Sequence, residues 1–228
     1  MQIPDGNGNR RQWRNDVDAQ TTNSLSTTGG HVWDAARRLH QFLGCQADEI
    51  GLTKDGASIL ELGAGCGWLG LNLAINLPHA KRILLTEQVQ GGAMEHLTLN
   101  IEQAKRSHCI PESVEALACD WMHYTPQFER AQQNVLESAF SSSDAASEQE
   151  QAPWSGELLR KDENGWDFVI GSDLVYNQIG VELLPWVMRA HMGPGSVGYY
   201  AHTRGRFEHF DIDFMENLKR VGLVVKEV

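Results

Sequence analysis

Apolar residues recur at helical spacing along the segment that begins at Val32. The positions that share one face of such a helix are Val32, Ala35, Ala36, Leu39, Phe42 and Leu43. This periodicity predicts an amphipathic helix that packs its apolar face on a sheet.

Beyond this helix, apolar runs of strand length alternate with helical patterns. The predicted strands cover residues 58–62, 82–86, 114–118, 167–171, 196–201 and 223–228. One predicted helix begins near Trp68, and three others cover residues 92–104, 180–191 and 211–221. Alternation with short links predicts an α/β fold with a doubly wound, mainly parallel sheet and helices on both faces.

Two segments lack the composition of a packed core. Residues 1–28 are polar and rich in Asn, Gln, Thr and Gly. They predict a loosely held N-terminal arm ahead of one domain at residues 29–228. Residues 126–164 are rich in Ser, Ala, Glu and Gln. A connection of that length and composition predicts a disordered insert within the domain.

The charge of the chain disfavours one class of partner. The net charge is −11 over 228 residues, and Lys and Arg form no run longer than two. Such a surface is unsuited to nucleic-acid phosphates and suits a basic protein partner better. No apolar stretch approaches the roughly 20 residues of a spanning helix, and the first residues lack the apolar core of a signal peptide. We therefore expect a soluble monomer, cytoplasmic or nuclear, that binds neither nucleic acid nor membranes.

The spacing of cysteine and histidine predicts no metal site. The four cysteines, Cys45, Cys66, Cys109 and Cys119, form no C-x-x-C pair. The nine histidines include no H-E-x-x-H pattern. We expect free thiols and no bound metal.

The segment from Ile59 to Gly70, ILELGAGCGWLG, carries the strongest chemical signal. Counted from Gly65, it fits the G-x-G-x-x-G pattern of dinucleotide-binding oxidoreductases. Counted from Glu61, it is E-x-G-x-G-x-G. In both interpretations the glycines let the backbone turn from strand into helix and approach a ligand at the strand end.

One acidic position, Glu61, separates the two interpretations, and further acidic and aromatic positions indicate a nucleoside ligand. Glu61 would repel a pyrophosphate but would attract the ammonium group of S-adenosylmethionine. Glu87 ends the next strand, where a carboxylate accepts both ribose hydroxyls of either cofactor. Asp120 and Trp121 follow the third strand, where an acid can contact the adenine amino group and an indole can stack on the ring. The pattern favours S-adenosylmethionine, with S-adenosylhomocysteine as the product.

The order of these features along the chain resembles that of the class I, seven-stranded S-adenosylmethionine-dependent methyltransferases, whose fold is Rossmann-like. The features are residues 61–67, Glu87 and Asp120–Trp121. Two further segments, GHVWDAA at residues 30–36 and GSDLVY at residues 171–176, narrow the resemblance. They are similar to the family 16 branch, which consists largely of protein-lysine methyltransferases. The resemblance covers residue 29 to the end of the chain, apart from the insert.

The resemblance implies a role for each matching position. Asp173 and Tyr176 fall at the substrate mouth as catalytic residues, where Asp173 orients the incoming amine and Tyr176 hydrogen-bonds its nitrogen. Among the cofactor-binding residues, Glu87 holds the ribose, Trp121 meets the adenine and Ser172 lies near the methyl-donor end. The full cofactor-binding set is Trp33, Glu61, Gly63, Ala64, Gly65, Gly67, Glu87, Asp120, Trp121 and Ser172.

Three features depart from this branch. The acid that ends the second strand is commonly Asp and is Glu87 here, and the residue before Asp173 is commonly Ala and is Ser172 here. Proteins of this class also close the sheet with a hairpin, whereas the pattern predicts only six strands. We expect either a shortened chain, with the last strand missing, or an exposed sheet edge.

The leading prediction for function is a protein-lysine N-methyltransferase with a protein substrate. Chaperones and translation factors are candidate substrates that come from the family alone. A small-molecule N- or O-methyltransferase and a non-catalytic binding module of the same fold stay open. A nucleic-acid amino-methyltransferase is disfavoured, because residues 173–176 lack the two prolines of its motif. Glu61 disfavours an oxidoreductase.

Overall fold

The centre of the structure is a five-stranded parallel sheet. The computed structural model describes residues 2–4, 10–107, 109–128, 130, 165–205 and 208–228. The strands of the sheet are β3 (Ser58–Leu62), β4 (Arg82–Glu87), β5 (Val114–Ala118), β6 (Phe168–Ser172) and β7 (Val197–Ala201). They pair in the order β5-β4-β3-β6-β7. A separate antiparallel pair is formed by β1 (Gln2–Pro4) and β2 (Arg10–Gln12).

Five helices whose bounds lie within the described residues accompany the sheet. They are α1 (Asp34–Gln46), α2 (Trp68–Ala74), α3 (Ala93–Arg106), α4 (Gln178–His191) and α5 (Glu208–Arg220). Short 3-10 turns at Thr28–Gly30, Gln90–Gly92 and Trp121–Tyr124 lie between them. The predicted Rossmann-like, doubly wound parallel fold is confirmed.

Both faces of the sheet are buried because successive residues of a strand point to opposite sides. Ile59 and Ile83 pack with the apolar faces of α1, α2 and α3. Leu60 and Leu84, their neighbours along the strands, pack with α4 and α5 around Phe214. The near-continuous apolar runs of these strands are what a sheet covered on both faces requires.

The strand order reverses at β3. Its partner on one side is β4, the next strand along the chain, and its partner on the other side is β6. The helices that follow β3 and β6 lie on opposite faces of the sheet, and a crevice opens at the carboxyl ends of these strands, where α/β proteins bind ligands.

The sixth predicted strand, at residues 223–228, is not formed, and that prediction is wrong. The chain leaves α5 through Gly222, and the Leu223 N–H donates to the Leu218 carbonyl as a helix C-terminal bond. Leu223 and Val225 pack against the core on the α4 and α5 face, whereas Val224 is fully exposed. Among the described strands, β7 therefore has no partner on its outer side.

The N-terminal segment differs from the predicted loose arm from residue 13 onward. Val17 and Ala19 are buried in the core. One asparagine on α2 and one in the turn after it bind the backbone of this segment. Asn72 accepts from the Val17 N–H and donates to the Val17 carbonyl, both at 3.1 Å. Asn76 accepts from the Arg14 N–H at 2.8 Å and donates to the Arg14 carbonyl at 2.7 Å.

A third asparagine, on α3, continues this pattern. Asn100 Nδ2 donates to the Gln20 carbonyl at 3.1 Å and to the Cys66 carbonyl at 2.8 Å. A mostly exposed polar segment can therefore be held against the domain at a few buried positions, because amides of the domain satisfy its backbone groups. We call residues 13–33 the lead-in segment.

Most of the predicted insert, at residues 131–164, lies outside the described residues. Within the described part of the chain, none of the helices has both the length and the apolar character needed to cross a membrane. The same residues contain no cluster of three His, Cys, Asp or Glu side chains suited to a metal ion. All four cysteines are free thiols.

The asparagine contacts predict a stability loss. Replacing Asn72 with Ala leaves the buried Val17 N–H and carbonyl without partners, which should lower the free energy of unfolding by about 2–4 kcal/mol. Urea denaturation measures this change. Asp16→Ala is the control in the same segment, because it breaks only the exposed ion pair with Arg14 and should have little effect. Equal losses in the two variants would contradict the role given to Asn72.

Candidate active site

The glycine-rich turn between β3 and α2 forms the floor of the site. Gly63 and Gly65 both have a positive φ of 57°. A Cβ on Gly65 would lie 2.8 Å from the Gly29 carbonyl oxygen, and a Cβ on Gly63 would collide with Leu174. The turn is thus packed from both sides, by the lead-in segment and by the loop after β6, and larger residues would not fit.

A cavity of about 300 Å³ lies above this turn, at the carboxyl ends of β3, β4, β5 and β6. Eleven of the twelve predicted site residues line it. They are Trp33, Glu61, Gly63, Ala64, Gly65, Glu87, Asp120, Trp121, Ser172, Asp173 and Tyr176. The structure therefore brings together residues that are up to about 140 positions apart in the chain, as expected at a switch point of a parallel sheet.

Gly67 is the predicted site residue that does not line the cavity. It precedes α2 with φ 82°, and a Cβ there would lie 2.6 Å from Leu97 Cδ1 on α3. Its position is explained by close packing of the turn against α3.

Glu61 is the most unusual group of the site. Its side chain is 2% exposed, and its Oε2 has no hydrogen-bond partner. Burial raises the pKa of Glu61 to about 8, with a smaller contribution from the charge of Glu87 and a partial offset from the Gly70 N–H. A buried carboxylate without a partner is costly, so this one is suited to a cationic group.

Glu87 is held firmly at the end of β4. Its Oε2 accepts from the Gly65 N–H at 2.8 Å, and its Oε1 accepts from the Gln88 N–H at 2.9 Å. Burial raises the pKa of Glu87, and these two hydrogen bonds act in the opposite direction. One carboxylate thus connects two neighbouring strand ends and still faces the cavity.

The aromatic walls of the cavity are fixed locally. Trp33 precedes α1, and its Nε1 donates to the Thr28 carbonyl at 3.3 Å. Asp120 begins the 3-10 turn by accepting the Met122 N–H at 2.9 Å, which sets the position of Trp121. The Asp120 carboxylate therefore has a capping role in addition to its place on the cavity wall.

The loop after β6 forms the mouth of the cavity. Asp173 adopts a left-handed backbone conformation with φ 56°, which is uncommon for a residue other than glycine and often marks a functional site. Its N–H donates to the Ala201 carbonyl at 2.8 Å, and its Oδ1 accepts from the Thr203 N–H at 3.1 Å. Tyr176 is 38% exposed at the same mouth.

Tyr200, on β7, supports this loop and was not predicted. Its hydroxyl accepts from the Leu174 and Val175 N–H groups, both at 2.9 Å. Burial raises its pKa, so the phenol stays protonated. A tyrosine in an apolar strand gives no sequence signal that separates this role from core packing.

The lead-in segment supplies a further wall that was not predicted. Thr27, Thr28, Gly29 and His31 line the cavity, as does Gln90 after β4. An indirect signal of this wall was present in Asn72 and Asn100, because a buried amide within a helix needs partners elsewhere.

The charges on the cavity wall have one sign. Four carboxylates line it, those of Glu61, Glu87, Asp120 and Asp173. No Lys or Arg is present among the described residues that line it. Such a wall suits a cationic ligand and disfavours a pyrophosphate.

The raised pKa of Glu61 predicts a pH dependence of stability. Between its ordinary value of 4.5 and about 8, the folded chain keeps a proton that the unfolded chain has lost. The free energy of unfolding should therefore fall as pH rises through this window, by about 2–4 kcal/mol more in the wild type than in Glu61→Gln. Denaturation at several pH values measures the difference. Glu115→Gln, at an exposed position on β5, is the control and should follow the wild type.

Solved methyltransferase structures are similar to this chain at low identity. Precorrin-6y C5,15-methyltransferase from Geobacter metallireducens is 13% identical, with 78% of this chain and 69% of that chain covered and a TM-score of 0.41. Coclaurine N-methyltransferase bound to N-methylheliamine and S-adenosylhomocysteine is 14% identical. The match covers 82% of this chain and 43% of that chain, with a TM-score of 0.45. No curated protein sequence matches the chain.

A family model described as lysine methyltransferase matches residues 14–139. The match includes the predicted site residues from Trp33 to Trp121, whereas Ser172, Asp173 and Tyr176 lie beyond it. It also includes most of the lead-in segment, which agrees with the packing of that segment on the domain. Because the match extends over more than half of the chain, the chain belongs to this lysine methyltransferase family, a family of S-adenosylmethionine-dependent methyltransferases.

Proposed function

We propose that this enzyme methylates lysine side chains of a protein substrate. The observation that carries the proposal is the match to a lysine methyltransferase family over residues 14–139. The cavity supports it independently, since carboxylates line both its inner part and its mouth. A lysine ammonium group is the cationic protein group that such a mouth would attract.

The residues of the cavity fit S-adenosylmethionine. The buried Oε2 of Glu61 has no partner, and the ammonium group of the cofactor would compensate its charge. Glu87 would accept the ribose hydroxyls, and Trp121 would cover the adenine. When bound, the cofactor supplies an electrophilic methyl group on a sulfonium. The chain itself mainly has to align the substrate nitrogen with that group and exclude water.

The substrate amine must lose its proton before it attacks the methyl group. A free lysine has a pKa near 10.4, so it is mostly protonated at neutral pH. Asp173 would hold the ammonium at the mouth, and Tyr176 would hydrogen-bond the nitrogen. A carboxylate next to a lysine raises the pKa of that lysine, so Asp173 acts in positioning and water accepts the proton. The fixed loop conformation, supported by Tyr200, keeps both side chains in place.

The proposed roles predict that two substitutions have separable effects. Glu87→Ala should weaken S-adenosylhomocysteine binding by about 10- to 100-fold, because it removes the hydrogen bonds of a charged group. Asp173→Asn should leave this affinity nearly unchanged and lower kcat/KM for lysine methylation by at least about tenfold. Calorimetry and transfer of a labelled methyl group measure the two effects. Equal losses of S-adenosylhomocysteine affinity in both variants would contradict the assignment of Asp173 to the substrate side.

The identity of the acceptor is tested by the product. A cell lysate incubated with the enzyme and tritiated cofactor should yield methyl-lysine after acid hydrolysis of its protein fraction. Glu87→Ala is the control with weakened cofactor binding and should yield less methyl-lysine at a cofactor concentration near the wild-type Kd. Label confined to small molecules would replace the proposal with a small-molecule methyltransferase, and binding of cofactor without any transfer would replace it with a binding module.

A further inference from the structure

Three apolar side chains are exposed around the mouth of the cavity. Met122 is 54% exposed, Tyr176 is 38% exposed and Ile179 is 60% exposed, and all three line the cavity. We call these three residues the apolar rim. They come from the 3-10 turn after β5, the loop after β6 and the first turn of α4.

The apolar rim continues into the cavity wall. Leu183 lies one helical turn beyond Ile179, lines the cavity and is only 9% exposed. Residues at i and i+4 lie on the same face of a helix, so this face of α4 changes from exposed to buried as it enters the cavity. An apolar group that binds at the mouth can therefore contact a continuous apolar surface.

The surroundings of the apolar rim indicate which partner it suits. Asp120 and Asp173 line the same cavity, and its described lining contains no Lys or Arg. An apolar surface beside carboxylates is complementary to a segment that carries both an apolar side chain and a cation. An anionic ligand would gain nothing from the carboxylates, and a purely polar segment would gain nothing from the apolar side chains.

We infer that the apolar rim binds an aliphatic side chain next to the target lysine of a protein substrate. The substrate class is thus protein segments in which the lysine has an aliphatic neighbour that is exposed on the same face. The inference rests on the proposed lysine methylation and adds the specificity element. Burial of Ile179 against the substrate would increase kcat/KM for such segments by about fivefold or more.

Short peptides with one lysine test this specificity. One set carries Leu at successive positions around the lysine, and a matched set carries Ser at the same positions. Wild-type enzyme should methylate the best Leu peptide at least about fivefold faster, in kcat/KM, than its Ser counterpart. Ile179→Ser and Met122→Ser should reduce this preference to less than about twofold.

Leu99→Ser is the matched control, because Leu99 is 58% exposed on α3 and does not line the cavity. It should keep the wild-type preference. S-adenosylhomocysteine affinity is measured for every variant and should stay at the wild-type value, which excludes misfolding as the cause. A wild-type enzyme that methylates lysine in Leu and Ser peptides equally would overturn the inference and leave the proposed function intact.

If no peptide is methylated, the same variants are compared on lysate proteins labelled by tritiated cofactor. Label on lysine that falls at least fivefold in Ile179→Ser and persists in Leu99→Ser supports the inference. Equal lysine labelling in both variants overturns it. Absence of lysine label with the wild-type enzyme overturns the proposed function, and the inference with it.

Discussion

The position of β3 between two parallel neighbours is the constraint on which the site depends. Parallel strands are connected by crossovers, and the helices that follow β3 and β6 along the chain, α2 and α4, lie on opposite faces of the sheet. No helix can then cover the strand ends, and a crevice remains there. The loops after β3, β4, β5 and β6 all end in this crevice, so residues distant in sequence become neighbours. The chemistry of the cavity is set by what these four loops carry, chiefly carboxylates and indoles.

The lead-in segment supplies a wall of the cavity that the sheet and its loops do not form. Its backbone is anchored by Asn72, Asn76 and Asn100, so its polar groups are satisfied in a position that apolar packing alone could not hold. The anchoring brings Gly29 against Gly65, where a Cβ on Gly65 would lie 2.8 Å from the Gly29 carbonyl oxygen. The contacts that hold the lead-in segment on the domain therefore also shape the cofactor cavity.

Much of the fold follows from local patterns, and part of the site from the family resemblance. The five sheet strands were predicted from their apolar runs. The glycine turn, Glu61, Glu87, Asp120 and Trp121 were predicted from their places at strand ends, whereas Trp33, Ser172, Asp173 and Tyr176 came from the resemblance. The lead-in segment was missed because its burial depends on partners 55 to 80 residues away. Residues 223–228 have strand composition, but the turn at Gly222 directs them along the α5 face. Gly67 belongs to the motif, yet the spacing cannot separate a residue that contacts a ligand from one that contacts Leu97. Tyr200 was missed because its strand pattern matches that of a core residue.

The cavity is built from segments that lie far apart in the chain, and this links cofactor supply to the lifetime of the protein. Residues 27–33 form one wall and residues 172–183 form another, so the cavity exists only in the fully folded chain. A ligand that binds only the folded state stabilises all of it, by about 2.7 kcal/mol when its concentration is 100 times its Kd. A cell rich in S-adenosylmethionine would therefore keep more of this enzyme folded and protected from proteolysis than a cell depleted of it.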